Sequence, residues 1–137
     1  MKQTISIAVD EFSTPVLVSS SKDETVGDII NKMKENNVRH IPVLDNSRPI
    51  GIISDRDIHL LNDIGKEELR LLKASDIMVS EPYCVNLGTP LDEVAFKMSE
   101  RKIGSALIVN KDGDLDSIFT SVDGLNALIE IIRGEVE

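Results

Sequence analysis

Between Val38 and Asp57 the chain reads Val-Arg-His-Ile-Pro-Val-Leu-Asp-Asn-Ser-Arg-Pro-Ile-Gly-Ile-Ile-Ser-Asp-Arg-Asp, and its chemically versatile side chains concentrate here. Two apolar runs, Ile41 to Leu44 and Ile50 to Ile53, flank a polar turn at Asp45-Asn46-Ser47-Arg48, the pattern of two short strands joined by a hairpin. The second run empties into Ser54-Asp55-Arg56-Asp57, where a buried strand should become a helix. Such a junction can hold a ligand, an anion for example, against exposed backbone amides while strand and helix stay rigid behind it. Read alone, Asp57 serves equally well as a helix cap.

The 137 residues suffice for one compact domain or for two small halves sharing a core. With 41% hydrophobic and 28% charged residues, the composition is that of a soluble globular protein. A net charge of −9 argues against general nucleic-acid binding, which depends on basic surface, yet leaves room for a small anion in a local basic pocket. The N-terminal stretch lacks the ~7 to 15 apolar residues of a signal peptide. No segment approaches the ~20 that span a bilayer, so the cytoplasm is the expected compartment. Cys84 is the single cysteine, which rules out an internal disulfide and a thiolate metal cage and reads as a buried, inert thiol.

The chain repeats itself at a shift of about 65 to 67 residues. Thr14 to Val18 falls on Glu81 to Val85, and Val26, Ile29, Ile30 and Met33 fall on Leu91, Val94, Ala95 and Met98, each set forming one apolar helical stripe. Thr89 is the expected cap of the second helix, with Pro90 in its first position and Asp92 completing a capping box; Asp23 or Thr25 caps the first. Val38 to Val43 matches Ile103 to Ile108, and Gly51 to Asp57 matches Ser117 to Asp123. Each copy is therefore strand, helix, strand, strand, helix, an α/β (α+β) fold, with copies spanning 1–68 and 69–137. One copy is too small to bury its own surface, so the two are expected to pack face to face with pseudo-two-fold symmetry. The linker from Asn62 to Asp76 is helical in pattern.

In the last helix Val122, Leu125, Ile129 and Ile132 form one stripe, and Leu128 and Ile131 place further apolar surface beside it. So wide an apolar face calls for a second partner. A homodimer is the expectation, with this helix and the one from Ile58 to Leu61 as its interface.

These features together resemble a tandem pair of cystathionine-β-synthase (CBS) domains, the unit also called a Bateman module. They include Met78 and Pro82 ahead of the second copy, the two Met-ending helices, Arg39-His40-Ile41-Pro42-Val43, and above all the Gly-x-x-Ser/Thr-x-x-Asp strand exits. The resemblance covers roughly Ile7 to Glu130. It implies a regulatory module that binds AMP, ADP, ATP or S-adenosylmethionine in clefts between the copies and pairs into flat dimers. By position, Ser54, Thr120, Asp57 and Asp123 would contact ribose and phosphate, in keeping with an acceptor-only carboxylate and a donating hydroxyl. Arg39 and His40 stand where nucleotide-binding members, such as the AMP-activated protein kinase γ subunit, place basic phosphate-binding side chains. Val16, Pro42 and Ile53 would wall the adenine.

The second copy departs from the pattern. Gly104-Ser105 replaces Arg39-His40, Ser117 stands where the first copy has Gly51, and Asp116 stands where it has Ile50. A charge there would be unfavourable if buried without a partner, and Gly permits a close backbone approach that Ser does not. The site anchored by Asp57 should therefore be the better one.

No nucleophile with its base, tuned acid-base pair, zinc spacing or phosphate-binding Gly-Lys loop is present, so neither catalysis nor a metal is expected. The leading reading is a stand-alone, non-enzymatic sensor of an adenosine-containing ligand that signals to an unidentified regulated protein through its dimer. The alternative is a ligand-independent dimerisation or protein-interaction module with degenerate sites. Single-stranded nucleic acid is disfavoured by charge and by few aromatic platforms.

Overall fold

A computed structural model describes residues 5–136. In chain order it contains a 3-10 turn (Val9–Glu11), β1 (Thr14–Pro15), α1 (Val26–Asn36), β2 (His40–Asp45), β3 (Arg48–Ser54), α2 (Asp55–His59), α3 (Lys66–Leu71), α4 (Ala74–Ile77), β4 (Val79–Ser80), β5 (Cys84–Asn86), α5 (Leu91–Arg101), β6 (Ser105–Val109), β7 (Leu115–Thr120) and α6 (Ser121–Ile132). The mixed α/β class and the two repeats match the sequence reading.

The chain forms two compact units, and they are not the two contiguous halves 1–68 and 69–137. One unit comprises Leu17–Pro82; the other joins the segment up to Val16 to everything from Tyr83 onward. Strand pairing explains this division. The short strand that precedes each copy pairs with the closing hairpin of the other copy: β1 runs antiparallel to β7, and β4 antiparallel to β3. The expected strand Thr14 to Val18 is accordingly only Thr14–Pro15, and Leu17 beyond it is 77% exposed.

In the Leu17–Pro82 unit, β2 and β3 form the hairpin, β4 adds to one edge, and Ser20 makes a parallel bridge to Val43 at the other. Ile29, Met33, Ile41, Val43, Ile53, Ile58 and Ala74 make its core. In the other unit the strand order is β1-β7-β6-β5, with β5 parallel to β6, and the core is Val9, Val94, Met98, Ala106, Ile108 and Phe119. Burying each large aliphatic side chain contributes about 1.5 to 3 kcal/mol.

The same exchange of lead-in segments caps the first helix of each copy. The amide of Val26 donates to Leu72 O at 2.7 Å, and that of Ala74 to Glu24 O at 2.8 Å. One repeat later Leu91 N donates to Ile7 O at 2.7 Å and Val9 N to Thr89 O at 2.8 Å. Thr25 caps α1, accepting from Asp28 N at 3.3 Å. The expected cap at Thr89 does not form: its hydroxyl donates to Asn86 O at 2.7 Å and accepts from no amide of α5. Pro90, not Thr89, is the N-cap of α5, and backbone from the N-terminal segment satisfies the first amide instead.

Gly51 marks the one close approach in the first hairpin. A Cβ there would collide with Met78 Sδ and lie 2.9 Å from its Cγ. Register places Gly51 opposite Ser80 and Ser117 opposite Pro15. Two residues before Ser80 stands Met78, and two before Pro15 stands the smaller Ser13. At the corresponding position of the second copy Ser117 is buried. The Ser117 hydroxyl has no hydrogen-bond partner among the described residues. Asp116 is exposed, so the charge in place of Ile50 carries no burial penalty.

Cys84 is exposed, not buried, because it lies on β5 at the edge of its sheet. Partial desolvation pushes its thiol pKa up, so the thiol stays protonated at neutral pH. No helix among the described residues is long and apolar enough to cross a membrane.

Candidate functional site

The first strand exit lies where β3 meets α2. Ser54 is the N-cap: its Oγ accepts from Asp57 N at 3.1 Å, while Asp57 Oδ2 accepts from Ser54 N at 3.3 Å. This reciprocal box consumes two junction amides, and Asp55 N donates to Arg39 O at 2.9 Å, consuming a third. Three of the junction amides are thus occupied within the fold. What the exit offers is side chains. Oδ1 of Asp57 has no hydrogen bond among the described residues, and the Ser54 hydroxyl proton is available to donate.

Cross-strand pairing places His40 directly opposite Ser54. Burial holds the imidazole below its ordinary 6.5, Asp55 and Asp57 pull the other way, and Arg39 adds to the depression. His40 is consequently neutral at pH 7, and the exposed Arg39 is the cation of the pair. Pro42 lies in this unit and is fully buried. The strand alternation puts His40, Pro42, Ile52 and Ser54 on one face, and Ile41, Val43 and Ile53 on the other. Ile53 is 0% exposed within the core, so the apolar neighbour sharing the face of Ser54 is Ile52. Period-two counting back from Ser54 would have found it. Val16 is half-buried and falls in the unit that carries Tyr83 onward.

The second exit, where β7 meets α6, repeats the box with one added partner. Thr120 is the N-cap, and Asp123 Oδ2 accepts from Thr120 N at 2.9 Å and from Thr120 Oγ1 at 3.2 Å. Oδ1, free in Asp57, accepts here from Thr14 Oγ1 at 2.9 Å. Asp123 is 9% exposed. Thr14 carried no mark in the sequence as a partner of this carboxylate, since 109 positions separate them.

Both exits thus share one local design and stand at corresponding points of a duplicated fold. The CBS domain profile matches residues 9–60 and 74–130. The chain belongs to the CBS domain family. A CBS domain-containing protein of Dictyostelium discoideum is 28% identical over 93% of this chain and 94% of its own length. An uncharacterised protein of Methanocaldococcus jannaschii is 30% identical over 92% of this chain, which spans only 46% of that longer relative. Among solved structures, that of CBSX2 in complex with AMP superimposes with a TM-score of 0.78 at 28% identity, covering 90% of this chain and 97% of the other. This CBS pair holds no group of three or more His, Cys, Asp or Glu among its described residues that would suit a metal ion.

Within the single chain the apolar stripe of α6 is left exposed. Only Asp123 and Ala127 are buried, while Val122, Leu125, Leu128, Ile129 and Ile132 are 44% to 75% exposed. In α2, Ile58 is buried and Leu60, just beyond its end, is 70% exposed.

Proposed function

We propose that this CBS pair is a non-enzymatic regulatory module that binds an adenosine nucleotide at the exit formed by Ser54 and Asp57. The observation that carries this reading is the Oδ1 of Asp57, which has no partner among the described residues, beside a Ser54 hydroxyl whose proton is not used by any of them and the Arg39-His40 pair. A carboxylate with a free acceptor atom suits the two hydroxyls of a ribose, and Arg39 supplies charge for a phosphate. The AMP complex of CBSX2, a related pair at 28% identity, supports AMP as the first ligand to test. Asp123, Thr120 and the half-buried Val16 are secondary in this reading, because the second exit lacks the basic pair.

The signal would pass through self-association. Val122, Leu125, Ile129 and Ile132 recur at alternating steps of three and four, the spacing of a helical seam. A recess of about 330 Å³ lined by Met98, Ile103, Phe119 and Gly124 lies alongside. A second copy of this chain seated on α6 would cover this row, and nucleotide would alter how the dimer meets its regulated protein. A cytoplasmic location suits the unpaired Cys84.

Titration calorimetry with AMP, ADP, ATP and S-adenosylmethionine tests the reading. Heat for AMP that disappears in Asp57→Ala supports it; no heat for any of the four at near-millimolar concentration refutes it. The occupied Asp123 carboxylate favours a second reading, a dimerisation module that acts without ligand. A nucleotide-independent dimer with no calorimetric signal would select that one.

A further inference from the structure

We infer that Thr14 is a latch: its hydroxyl bond to Asp123 docks the N-terminal segment and closes the second exit, so that a ligand can use Asp123 only by displacing Thr14. The part concerning ligand rests on the reading of the strand exits proposed above; the docking part does not.

The carboxylate of Asp123 accepts three hydrogen bonds, from Thr14 Oγ1, Thr120 N and Thr120 Oγ1. A carboxylate offers about four acceptor positions. With Asp123 9% exposed, little of it remains for a diol unless one protein donor leaves. Thr120 is fixed by the cap of α6, whereas Thr14 lies on an exposed, two-residue edge strand and is the donor free to depart. β1 has only two ladder positions, Thr14 opposite Ile118 and Pro15 opposite Ser117, and Pro15 has no amide to donate. The side-chain bond therefore forms a large part of what closes this edge. The segment behind it is tied on by Val9 N to Thr89 O, Leu91 N to Ile7 O, and Gly88 N to Asp10 Oδ1 at 2.8 Å.

The first copy supplies the internal control. Ile118 and Ile52 are equivalent positions, and their cross-strand partners are Thr14 and Val79. Val79 has no hydroxyl, and the carboxylate at that exit keeps Oδ1 free. One side chain on the crossing strand, hydroxyl or methyl, distinguishes a closed exit from an open one.

The test compares Thr14→Val, which keeps the shape and removes the hydroxyl, with Thr14→Ser, which keeps the hydroxyl. Hydrogen exchange at the Val9, Gly88 and Leu91 amides should accelerate roughly threefold to tenfold in Thr14→Val and return to within about twofold of wild type in Thr14→Ser. The amides of residues 40–54 should be unaffected. In calorimetry, wild type should take up one AMP per chain and Thr14→Val a second, weaker equivalent. Unchanged exchange in Thr14→Val, or equal acceleration in Thr14→Ser, overturns the docking role. Two equivalents in wild type with intact N-terminal protection, or one in Thr14→Val, overturns the closure. Absence of AMP binding in every variant refutes the nucleotide reading and closure together, and leaves exchange to decide docking.

Discussion

Thr14 Oγ1 lies 2.9 Å from Asp123 Oδ1, and among the described residues no equivalent bond reaches Asp57, in whose copy Val79 takes the cross-strand place of Thr14. Two carboxylates that occupy the same position in a repeat therefore have different work available to them. One is bound into the fold, and the other has an acceptor atom to spare.

This asymmetry separates two kinds of damage. Asp123→Ala removes the acceptor for Thr14 and Thr120 in a nearly buried setting and should lower unfolding free energy by about 1 to 3 kcal/mol. Asp57→Ala loses a more open cap, worth about 1 kcal/mol. It should, however, weaken AMP binding tenfold or more, on the order of one charge-assisted hydrogen bond. Urea unfolding and calorimetry on the same two variants check both halves; the reverse pattern would exchange the roles.

Gly51→Ala should destabilise the Leu17–Pro82 unit by roughly 1 to 3 kcal/mol, because the new Cβ meets Met78. Met78→Ser in the same chain, copying the Ser13 arrangement, should recover part of the loss. Thermal unfolding of the single and double variants measures this, and strict additivity would show that Met78 is not the obstacle.

His40 gives stability a pH dependence of definite sign. Its folded pKa lies below the unfolded value of about 6.5, so between the two the unfolded chain holds the extra proton. Stability contributed by this group is present above pH 6.5 and is lost as the pH falls toward the folded pKa. His40→Gln should flatten that part of a stability-versus-pH curve. An undiminished slope in the variant would assign it to other groups.

Ile129→Glu tests the exposed seam on α6. The side chain is 44% exposed in the single chain, so monomer unfolding should change by less than about 1 kcal/mol. Sedimentation velocity should show a dimer for wild type and a monomer for the variant. A wild-type monomer at high micromolar concentration would exclude self-association through this helix.

The repeat, the Ser-x-x-Asp and Thr-x-x-Asp caps and the apolar stripes of α1 and α5 were legible in the sequence because each depends on residues within a few positions of one another. Helical period and capping are local physics, and duplication made them visible twice. The same local logic predicts a cap at Thr89, whose duty passes to backbone from Ile7, whereas the wall role of Ile53 is implied only by the family resemblance, and strand parity puts Ile52 rather than Ile53 on the face of Ser54. Only the tertiary structure decided which lead-in segment joins which hairpin, and hence that Thr14 meets Asp123 while Val79 stands before the other exit. The composition of either segment carries no signal for that choice. It follows from where the chain crosses, and a hydrogen bond spanning 109 positions exists only once the crossing has been made.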